Sequence, residues 1–347
     1  MAWQGIEGHD TVVEHFVRAY DRNRVAGSYL FIGPPGVGKG TFAHKLAKAL
    51  VCQATRPGLV PCDACASCLQ ADAGSHPDID VVRKPEDRAT IPLDALIGDA
   101  EHRMREGLCW RLLLKPALGG RKVAIIHDAD SLSDEAANCL LKTLEEPPEG
   151  TVIILVGTSL ERQLPTIRSR CQIVRFQPLA ADEVLRILKR EAEAGTADER
   201  GLQACAAGAG GSLERGRRLL DPVLTEFRGR MLDLLVHRPL HGVALSRETL
   251  AIVEAAGKEA PPRRDRLRVV LEMAVEFFRV ALRHDVSHDV PDDAALARAV
   301  AGWGGDAEEA AAALQRTLEA LDAIDRNANL TILVDAWTAL LEQPRLA

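Results

Sequence analysis

The first half of the chain alternates short, wholly apolar runs with longer segments whose apolar residues recur at helical spacing. Residues 28–32 and 151–156 read SYLFI and TVIILV, without the alternation of a half-buried strand. Residues 41–51 instead place apolar side chains three and four positions apart, which predicts a helix. Apolar strands that alternate with helices predict a parallel sheet covered on both faces.

Four further apolar runs predict strands of this sheet, at residues 79–82, 112–114, 122–127 and 173–176. A helix is predicted over residues 133–146, and the two prolines that follow end it because proline cannot continue the helical hydrogen-bond ladder. Further helices are predicted over residues 182–194 and 212–220. Beyond residue 222, strand patterns stop, and long Ala-, Leu-, Glu- and Arg-rich segments predict a wholly helical domain.

The chain has 347 residues, more than one ordinary hydrophobic core needs, which indicates two or three domains. Its 47% apolar and 27% charged residues are typical of a globular protein. The formal net charge of −7 provides no general attraction to DNA. Any contact with nucleic acid would therefore come from a local basic patch or from partner subunits.

The N-terminal residues MAWQGIEGHD lack a basic region followed by an apolar run, so they do not resemble a signal peptide. No apolar run reaches the roughly 18–20 residues that span a bilayer. These patterns predict a cytoplasmic protein without a membrane partner. In such a reducing compartment, a cluster of cysteines indicates a metal site rather than disulfides.

Residues 33–41 read GPPGVGKGT and stand between a predicted strand and a predicted helix, which is the setting of a phosphate-binding loop. Glycines let backbone N–H groups turn toward phosphate oxygens, and the helix N-terminus adds a positive dipole. Lys39 would reach the outer phosphates. The alternative interpretation is a Gly/Pro turn with a chance lysine. The candidate nucleotide-binding residues of the loop are Gly33, Gly36, Gly38, Lys39, Gly40 and Thr41.

Two positions depart from a loop that hydrolyses nucleotide. Gly40 stands where a hydroxyl residue would hold Mg²⁺, and Thr41 comes one place later. The apolar run KVAIIH ends in His127 where a metal-binding aspartate would stand, and Asp128 takes the place of the catalytic base. Histidine is a poor ligand for Mg²⁺. ATP and Mg²⁺ stay open as ligands, with weak or no hydrolysis; alternatively, residues 127–130 only cap a strand and begin a helix.

Four cysteines follow the phosphate-loop helix at the spacing Cys52-x9-Cys62-x2-Cys65-x2-Cys68. The short spacings let adjacent turns hold one tetrahedral ion, and the longer loop returns the remaining thiolate. Four sulfur ligands leave no open coordination position, so a structural Zn²⁺ ion is predicted at these four residues. The alternative interpretation is four buried free thiols.

Two further segments carry a family resemblance. Residues 138–148 read NCLLKTLEEPP and residues 164–171 read LPTIRSRC, and both resemble segments of bacterial DNA polymerase III clamp-loader subunits. The cysteine cluster behind the phosphate-loop helix is also a feature of bacterial members. Residues 321–341 resemble the last helices of the family's oligomerising collar. The resemblance covers essentially the whole chain.

This resemblance implies an α/β fold of the AAA+ type in three domains. Residues 1–178 would form the AAA+ P-loop core with its parallel sheet and an inserted zinc module at about residues 52–68. Residues 179–221 would form a small helical lid, and residues 222–347 an all-helical collar for oligomerisation. Within the family the chain resembles the delta-prime type more than the gamma/tau motors, because the loop hydroxyl, the acidic pair and the long extension of tau are missing.

The resemblance also implies one subunit of a hetero-pentamer with delta and gamma/tau subunits. Such a complex opens the sliding clamp and places it on primer–template DNA by using ATP. The isolated chain would not be catalytic. Clamp and DNA would be contacted through the complex.

Three residue roles follow from the resemblance. Arg170, in the SRC segment, matches the family's arginine finger and would act in trans on ATP bound to the neighbouring subunit. The alternative is a structural arginine paired with a carboxylate. Thr158 matches a position that senses phosphate, or is an ordinary strand-end threonine. Arg215 lies near the second sensor position, although Glu214 competes for it and a solvated basic helix face is the other interpretation.

Other functions stay open. The string GPPGVGKGT also occurs in adenylate-type nucleotide kinases, which would make the chain a phosphotransferase. The long segment before the loop, the placement of the cysteines, and the LLKTLEEPP and SRC segments oppose that alternative. A second alternative is a gamma/tau-type ATPase motor. A third is a general interaction protein whose phosphate loop is inert.

Overall fold

The computed structural model of the protein describes residues 3, 5–85, 88, 90–103, 105–118, 120–192, 199–287, 291, 293–326 and 328–342. It divides into two compact units. Residues 1–193 and 209–215 form the first, here called the α/β unit. Residues 194–208 and 216–347 form the second, the helical unit. The separation of a lid from a collar stays a prediction.

A five-stranded parallel sheet lies at the centre of the α/β unit, as the sequence predicts. The strands are β1 (Ser28–Ile32), β2 (Ile79–Val82), β3 (Lys122–Ile126), β4 (Thr151–Gly157) and β5 (Gln172–Arg175). Their order is β2-β3-β4-β1-β5, so β2 and β5 lie at the edges. Because all pairs are parallel, the loops that follow the strands lie along one side of the sheet.

Eight helices are described in the α/β unit before residue 193. They are α1 (Asp10–Asp21), α2 (Lys39–Val51), α3 (Ala66–Asp72), α4 (Asp94–Ile97), α5 (Gly107–Leu113), α6 (Asp134–Glu145), α7 (Pro165–Arg168) and α8 (Ala181–Glu191). A 3₁₀ turn, Ala129–Ser131, follows β3. The hydroxyl of Ser133 accepts a hydrogen bond from the N–H of Ala136 and so caps α6, where the sequence predicts the helix to begin.

The two faces of the sheet bury two different sets of side chains. Tyr29 and Phe31 pack on one face in a cluster that includes Phe42 of α2. Leu30 and Ile32 pack on the other face. This alternation explains why every position of β1 after Ser28 is aromatic or aliphatic, since both faces of the strand are covered. The core therefore fixes β1 and α2, and with them the loop that joins them.

The predicted strand at residues 112–114 is wrong, because those residues belong to α5 and its C-terminal end. Leu108, Cys109 and Leu112 are buried at helical spacing. Leu113 is 59% exposed, which an interior strand would not allow. The apolar triplet was too short to distinguish a strand from the last turn of a helix.

The helical unit confirms the prediction that strand patterns end before residue 222, in the part of the chain that the structure describes. Its helices, together with the one that leads into it, are α9 (Glu199–Gly208), α10 (Leu213–Leu220), α11 (Pro222–Val236), α12 (Gly242–Ala255), α13 (Ala260–Ser287), α14 (Ala294–Gly302), α15 (Ala307–Asp325) and α16 (Leu330–Glu342). Phe227, Phe277 and Trp337 lie in its core. Among the described helices, none combines the length and the apolar character needed to cross a membrane.

Candidate functional site

The phosphate loop joins the C-terminal end of β1 to the N-terminus of α2, and so lies at the edge of the sheet formed by the C-terminal ends of the parallel strands. Gly36 and Gly38 have φ angles of 76° and 96°, which glycine adopts without the strain that a Cβ would cause. Gly38 is the N-cap of α2, so the helix begins directly from the loop, as phosphate binding requires. The ring of His9 holds the loop from the N-terminal segment, since its Nε2 donates to the Val37 carbonyl oxygen at 2.7 Å.

Lys39 is folded across its own loop. Its Nζ donates to the carbonyl oxygens of Gly33 and Pro34, both at 2.6 Å. Burial lowers the pKa of Lys39 to about 8, and the charge of Asp130 acts in the opposite direction. To bind a phosphate group, Lys39 would exchange these two carbonyl oxygens for phosphate oxygens, which are stronger partners because they are charged.

The segment before α10 covers part of the loop. The backbone N–H of Leu213 donates to the Gly36 carbonyl oxygen at 2.9 Å. A Cβ on Gly36 would collide with Ser212 Oγ and would lie 3.0 Å from the Cβ of Glu214. Close approach therefore requires glycine at position 36, in addition to its backbone angle. The backbone N–H of Arg215 donates to Ser212 Oγ at 3.4 Å, which places the predicted sensor segment against the loop.

His127 lies beside Gly40, and the side chains of His44 and Arg83 lie close to it. The Nε2 atoms of His127 and His44 are 3.2 Å apart, and their rings stack with centroids 5.3 Å apart. Nη2 of Arg83 lies 3.4 Å from the same His44 Nε2 atom. Burial, followed by the charges of Arg83 and His44, lowers the pKa of His127 to about 4. Burial and Arg83 also lower the pKa of His44.

Gly40 and His127 fit each other sterically. A Cβ on Gly40 would lie 3.0 Å from Cε1 of His127 and 3.4 Å from its Nδ1. The absence of a hydroxyl at position 40 and the absence of an aspartate at position 127 are therefore related. The ring of His127 fills the volume that a side chain at position 40 would need. Thr41, one position later, is exposed and lines a cleft of about 420 Å³ together with His44, Lys45 and Lys48.

Asp130 organises the end of β4. Its Oδ2 accepts from the N–H and the hydroxyl of Thr158, at 2.8 and 2.7 Å, and its other oxygen accepts from Nε2 of Gln163. The hydroxyl proton of Thr158, the candidate phosphate sensor, is thus directed at Asp130. Asp128 is exposed and has a left-handed φ of 53°. Sequence reasoning missed the role of Asp130, although its position two residues after Asp128 in an acidic run was a usable signal.

Arg170 lies just before β5, an edge strand, and its side chain contacts residues of the same chain. Its Nη1 donates to the Thr166 carbonyl oxygen at 3.0 Å and to Ser169 Oγ at 3.2 Å. Its Nε lies 3.5 Å from a carboxylate oxygen of Glu145, at the end of α6. The Arg170 side chain as a whole is 30% exposed, whereas its Nε atom is buried. The side chain therefore pairs with a carboxylate within the chain and remains partly accessible from outside.

The four predicted cysteine ligands come together. Their sulfur atoms all lie within 4.8 Å of one another, with 3.9 Å between Cys62 and Cys68 and 4.0 Å between Cys52 and Cys65. A tetrahedral ion with metal–sulfur bonds of about 2.3 Å would hold its ligands roughly 3.8 Å apart. The cluster can therefore hold a metal ion.

The backbone of the cysteine cluster supports thiolate ligands. The N–H groups of Cys62 and Cys65 donate to the sulfurs of Cys52 and Cys62, both at 3.3 Å. Backbone N–H groups, that of Ala64 foremost, lower the pKa of Cys62 to about 6. Burial raises the pKa of Cys68. A metal ion would supply the positive charge that a buried thiolate at Cys68 requires.

A buried lysine ties this cluster to the phosphate-loop helix. Lys48 lies on α2, and its Nζ is 2.6 Å from carboxylate oxygens of both Asp63 and Asp72. Asp63 stands between two of the cysteines, and Asp72 ends α3. The Lys48 ammonium holds the pKa of Asp63 below its usual range. Sequence reasoning missed this connection, because nothing in the spacing joins residue 48 to residues 63 and 72.

Comparison with known proteins identifies the family to which the residues of this site belong. Residues 8–180 match the family model described as "DNA polymerase III, delta subunit". Over these residues the chain belongs to the DNA polymerase III clamp-loader subunit family. The clamp-loader match contains the phosphate loop, the cysteine cluster and Arg170. The α/β unit is accordingly an AAA+ P-loop domain, and helices follow it, as the sequence predicts.

Individual clamp-loader subunits match parts of the chain. The delta' subunit of Pseudomonas aeruginosa is 38% identical over 151 residues, which cover 43% of this chain and 43% of that protein. The tau subunit of Bacillus subtilis is 30% identical over 234 residues, which cover 67% of this chain and 39% of tau. The chain spans half the length, or less, of these relatives. Among solved structures, a DNA polymerase III gamma subunit-related protein of Thermotoga maritima aligns with a TM-score of 0.41 and 18% sequence identity. The alignment covers 95% of this chain and 98% of that chain.

Proposed function

We propose that this chain is a delta-prime-like subunit of a DNA polymerase III clamp loader, which helps to load the sliding clamp onto primed DNA with energy from ATP. The observation that carries the proposal is the family match over residues 8–180. Delta and gamma/tau subunits would be its partners in a hetero-pentamer. The sliding clamp and primer–template DNA would be reached through that complex.

The phosphate loop of this chain would contribute little or no hydrolysis. Gly40 provides no hydroxyl for Mg²⁺, and the ring of His127 fills the adjacent volume. Nitrogen is a poor ligand for this hard ion. Asp128 is exposed, at the position of the base. Gly33, Gly36, Gly38, Lys39 and Thr158 remain candidates for holding a nucleotide.

Arg170 would act on the ATP of a neighbouring subunit. It lies next to an edge strand of the sheet, and its side chain is 30% exposed. A planar guanidinium can neutralise charge on a transferring phosphoryl group. In the complex, the phosphates of the neighbour would compete with Glu145 for this side chain.

The four cysteines would hold a structural Zn²⁺ ion. Thiolate ligands in tetrahedral arrangement favour zinc, and four of them close the coordination sphere. Through Lys48, the zinc module would stabilise α2 and the loop in front of it.

The gamma/tau-type motor remains the second candidate, because the tau subunit of Bacillus subtilis matches 67% of this chain. The test is ATP turnover by a complex in which this chain carries the only intact phosphate loop. Essentially no turnover is expected, and steady hydrolysis would establish a motor. Incubation of the purified chain with ATP and AMP tests the nucleotide kinase alternative, for which prompt formation of ADP is the positive result.

Co-expression tests the proposed function itself. A tagged copy of the chain should co-purify with the delta and gamma/tau subunits of the same organism, and the complex should load the clamp onto primed DNA. An assembled complex that loads the clamp equally well without this chain would contradict the proposal.

A further inference from the structure

Three basic side chains from three different elements meet beside the phosphate loop, and we call them the basic cluster: His44, Arg83 and His127. Arg83 directly follows β2, and His127 directly follows the adjacent β3, with Val82 and Ile126 paired in register. His44 lies on α2 one turn after Gly40. The ends of two neighbouring strands and the phosphate-loop helix therefore direct these groups to one place.

The hydrogen bonds of the basic cluster define its charge. Arginine only donates hydrogen bonds, so His44 Nε2, 3.4 Å from Arg83, accepts. His127 Nε2, 3.2 Å from the same atom, then donates to it. An accepting Nε2 makes the His44 ring neutral, burial lowers the pKa of His127 to about 4 so that its ring is neutral near pH 7 as well, and Arg83 carries a full positive charge. Arg83 is exposed, and the structure shows no ion pair between it and any residue that it describes.

This arrangement favours an anion over a cation. In a loop that uses Mg²⁺, the metal offsets the charge of the outer phosphates. Here the ring of His127 fills the space beside Gly40, and Arg83 repels a divalent ion. The guanidinium of Arg83 instead offers N–H donors, and His44, which accepts at Nε2, keeps an N–H at its Nδ1; both kinds of donor match phosphate oxygens.

We propose that the basic cluster binds the outer phosphates of a metal-free triphosphate group, such as that of ATP, so that side chains of the protein take the place of Mg²⁺ at this phosphate loop. The proposal rests on the proposed function only in treating residues 33–41 as a phosphate loop. Lys39 is on the same loop and supplies the next positive charge once it leaves the carbonyl oxygens of Gly33 and Pro34.

Calorimetric titration of the purified full-length chain tests this proposal. ATP should bind in the presence of EDTA, and excess Mg²⁺ should weaken its binding, which is the reverse of an ordinary phosphate loop. Arg83→Ala should weaken binding in EDTA about tenfold or more, as expected for a lost hydrogen bond to a charged group. Arg175→Ala, an exposed arginine at the opposite edge of the sheet, should bind as the wild type does.

Two further titrations sharpen the test. Inorganic tripolyphosphate in EDTA separates a nucleotide from a general polyphosphate: tighter binding of ATP identifies a nucleotide, and equal affinity identifies a polyphosphate. The double variant Gly40→Ser/His127→Asp should instead prefer ATP with Mg²⁺. ATP binding that requires Mg²⁺, an unchanged affinity of Arg83→Ala, or no binding to either probe would overturn the proposal. Assembly with delta and gamma/tau subunits is measured separately, so the proposed function would survive that outcome.

Discussion

The ring of His127 occupies the volume that a side chain at position 40 would need, so neither residue can be understood alone. His127 is buried and stacked on His44, which leaves its ring little freedom to move. Both departures are visible in the sequence as a missing hydroxyl and a missing aspartate. Their mutual fit is not, because the contact joins residues that are far apart along the chain.

Gly40→Ser should therefore couple to His127. In an ordinary helix, replacing glycine with serine stabilises by about 0.5 kcal/mol. Here the new Cβ meets the buried ring, so the substitution should destabilise by about 1 kcal/mol. In a His127→Asp background the same substitution should become neutral or stabilising. Chemical denaturation of the four proteins measures the coupling, and additive changes in unfolding free energy would contradict the packing described above.

The stability of the chain should depend on pH through His127. Its pKa is lowered to about 4 in the folded chain, from an ordinary value of 6.5. Between these values the unfolded chain binds a proton that the folded chain does not, so stability falls as the pH falls. His127→Asn should remove a loss of roughly 2–3 kcal/mol between about pH 7 and pH 4.5.

The free energy of unfolding, measured at both pH values, checks this expectation. His15→Asn is the matched control, because the side chain of His15 is exposed. This control should retain the pH dependence of the wild type. If His127→Asn retained it as well, the ring would not be held neutral in the folded chain.

At the scale of elements, the cysteine module is the part that a metal ion would hold together. The turn at Gly58 and Leu59, with positive φ angles, brings Cys62 back to Cys52, and the N–H of Arg56 bonds to the Val60 carbonyl oxygen at 2.8 Å. Helix α3, which carries Cys68, has only seven residues. Elements this short need an additional constraint, because isolated helices below about 12 residues are marginal.

Removal of the metal should therefore destabilise the module and, through Lys48, helix α2. The purified chain should contain about one zinc ion, and a strong chelator should lower its melting temperature by at least about 5 °C. Cys62→Ser should lose the metal, whereas Cys139→Ser, an exposed cysteine outside the cluster, should keep it. A metal-free wild type with an unchanged melting temperature would show that the four thiols are structural without an ion.

The strands of the sheet could be predicted from the sequence, including the four-residue strands β2 and β5, whereas one apolar triplet was misleading. Strands such as TVIILV are buried along their whole length, so their pattern is unambiguous. The apolar residues 112–114 predict a strand, but three residues are too few to show a period, and the structure buries Leu112 together with Leu108 and Cys109 of the same helix. The cysteine ligands could be predicted because their spacing in the sequence is typical of a metal site. The contacts of Lys48 with Asp63 and Asp72 could not, because no sequence pattern connects these positions.

At the scale of the whole molecule, the two compact units carry different kinds of information. The α/β unit contains the phosphate loop, the cysteine cluster and Arg170, and it carries the family match. The helical unit is rich in buried Leu and Phe but holds none of the candidate site residues. Its predicted role in oligomerisation rests on resemblance, since a helical core by itself does not identify a partner.

The most direct test of the account is the DNA-stimulated ATPase rate of the reassembled complex with Arg170→Ala in this chain. Arginine fingers contribute factors of roughly 10³–10⁵ to the rate at the site that they serve. The complex should therefore assemble normally and lose severalfold in ATP turnover, because the neighbouring subunit is deprived of its finger. Arg168→Ala, an exposed arginine in the preceding turn, is the matched control and should have little effect. An intact complex with Arg170→Ala and an unchanged ATPase rate would contradict the assignment of this chain as the subunit that acts on its neighbour's ATP.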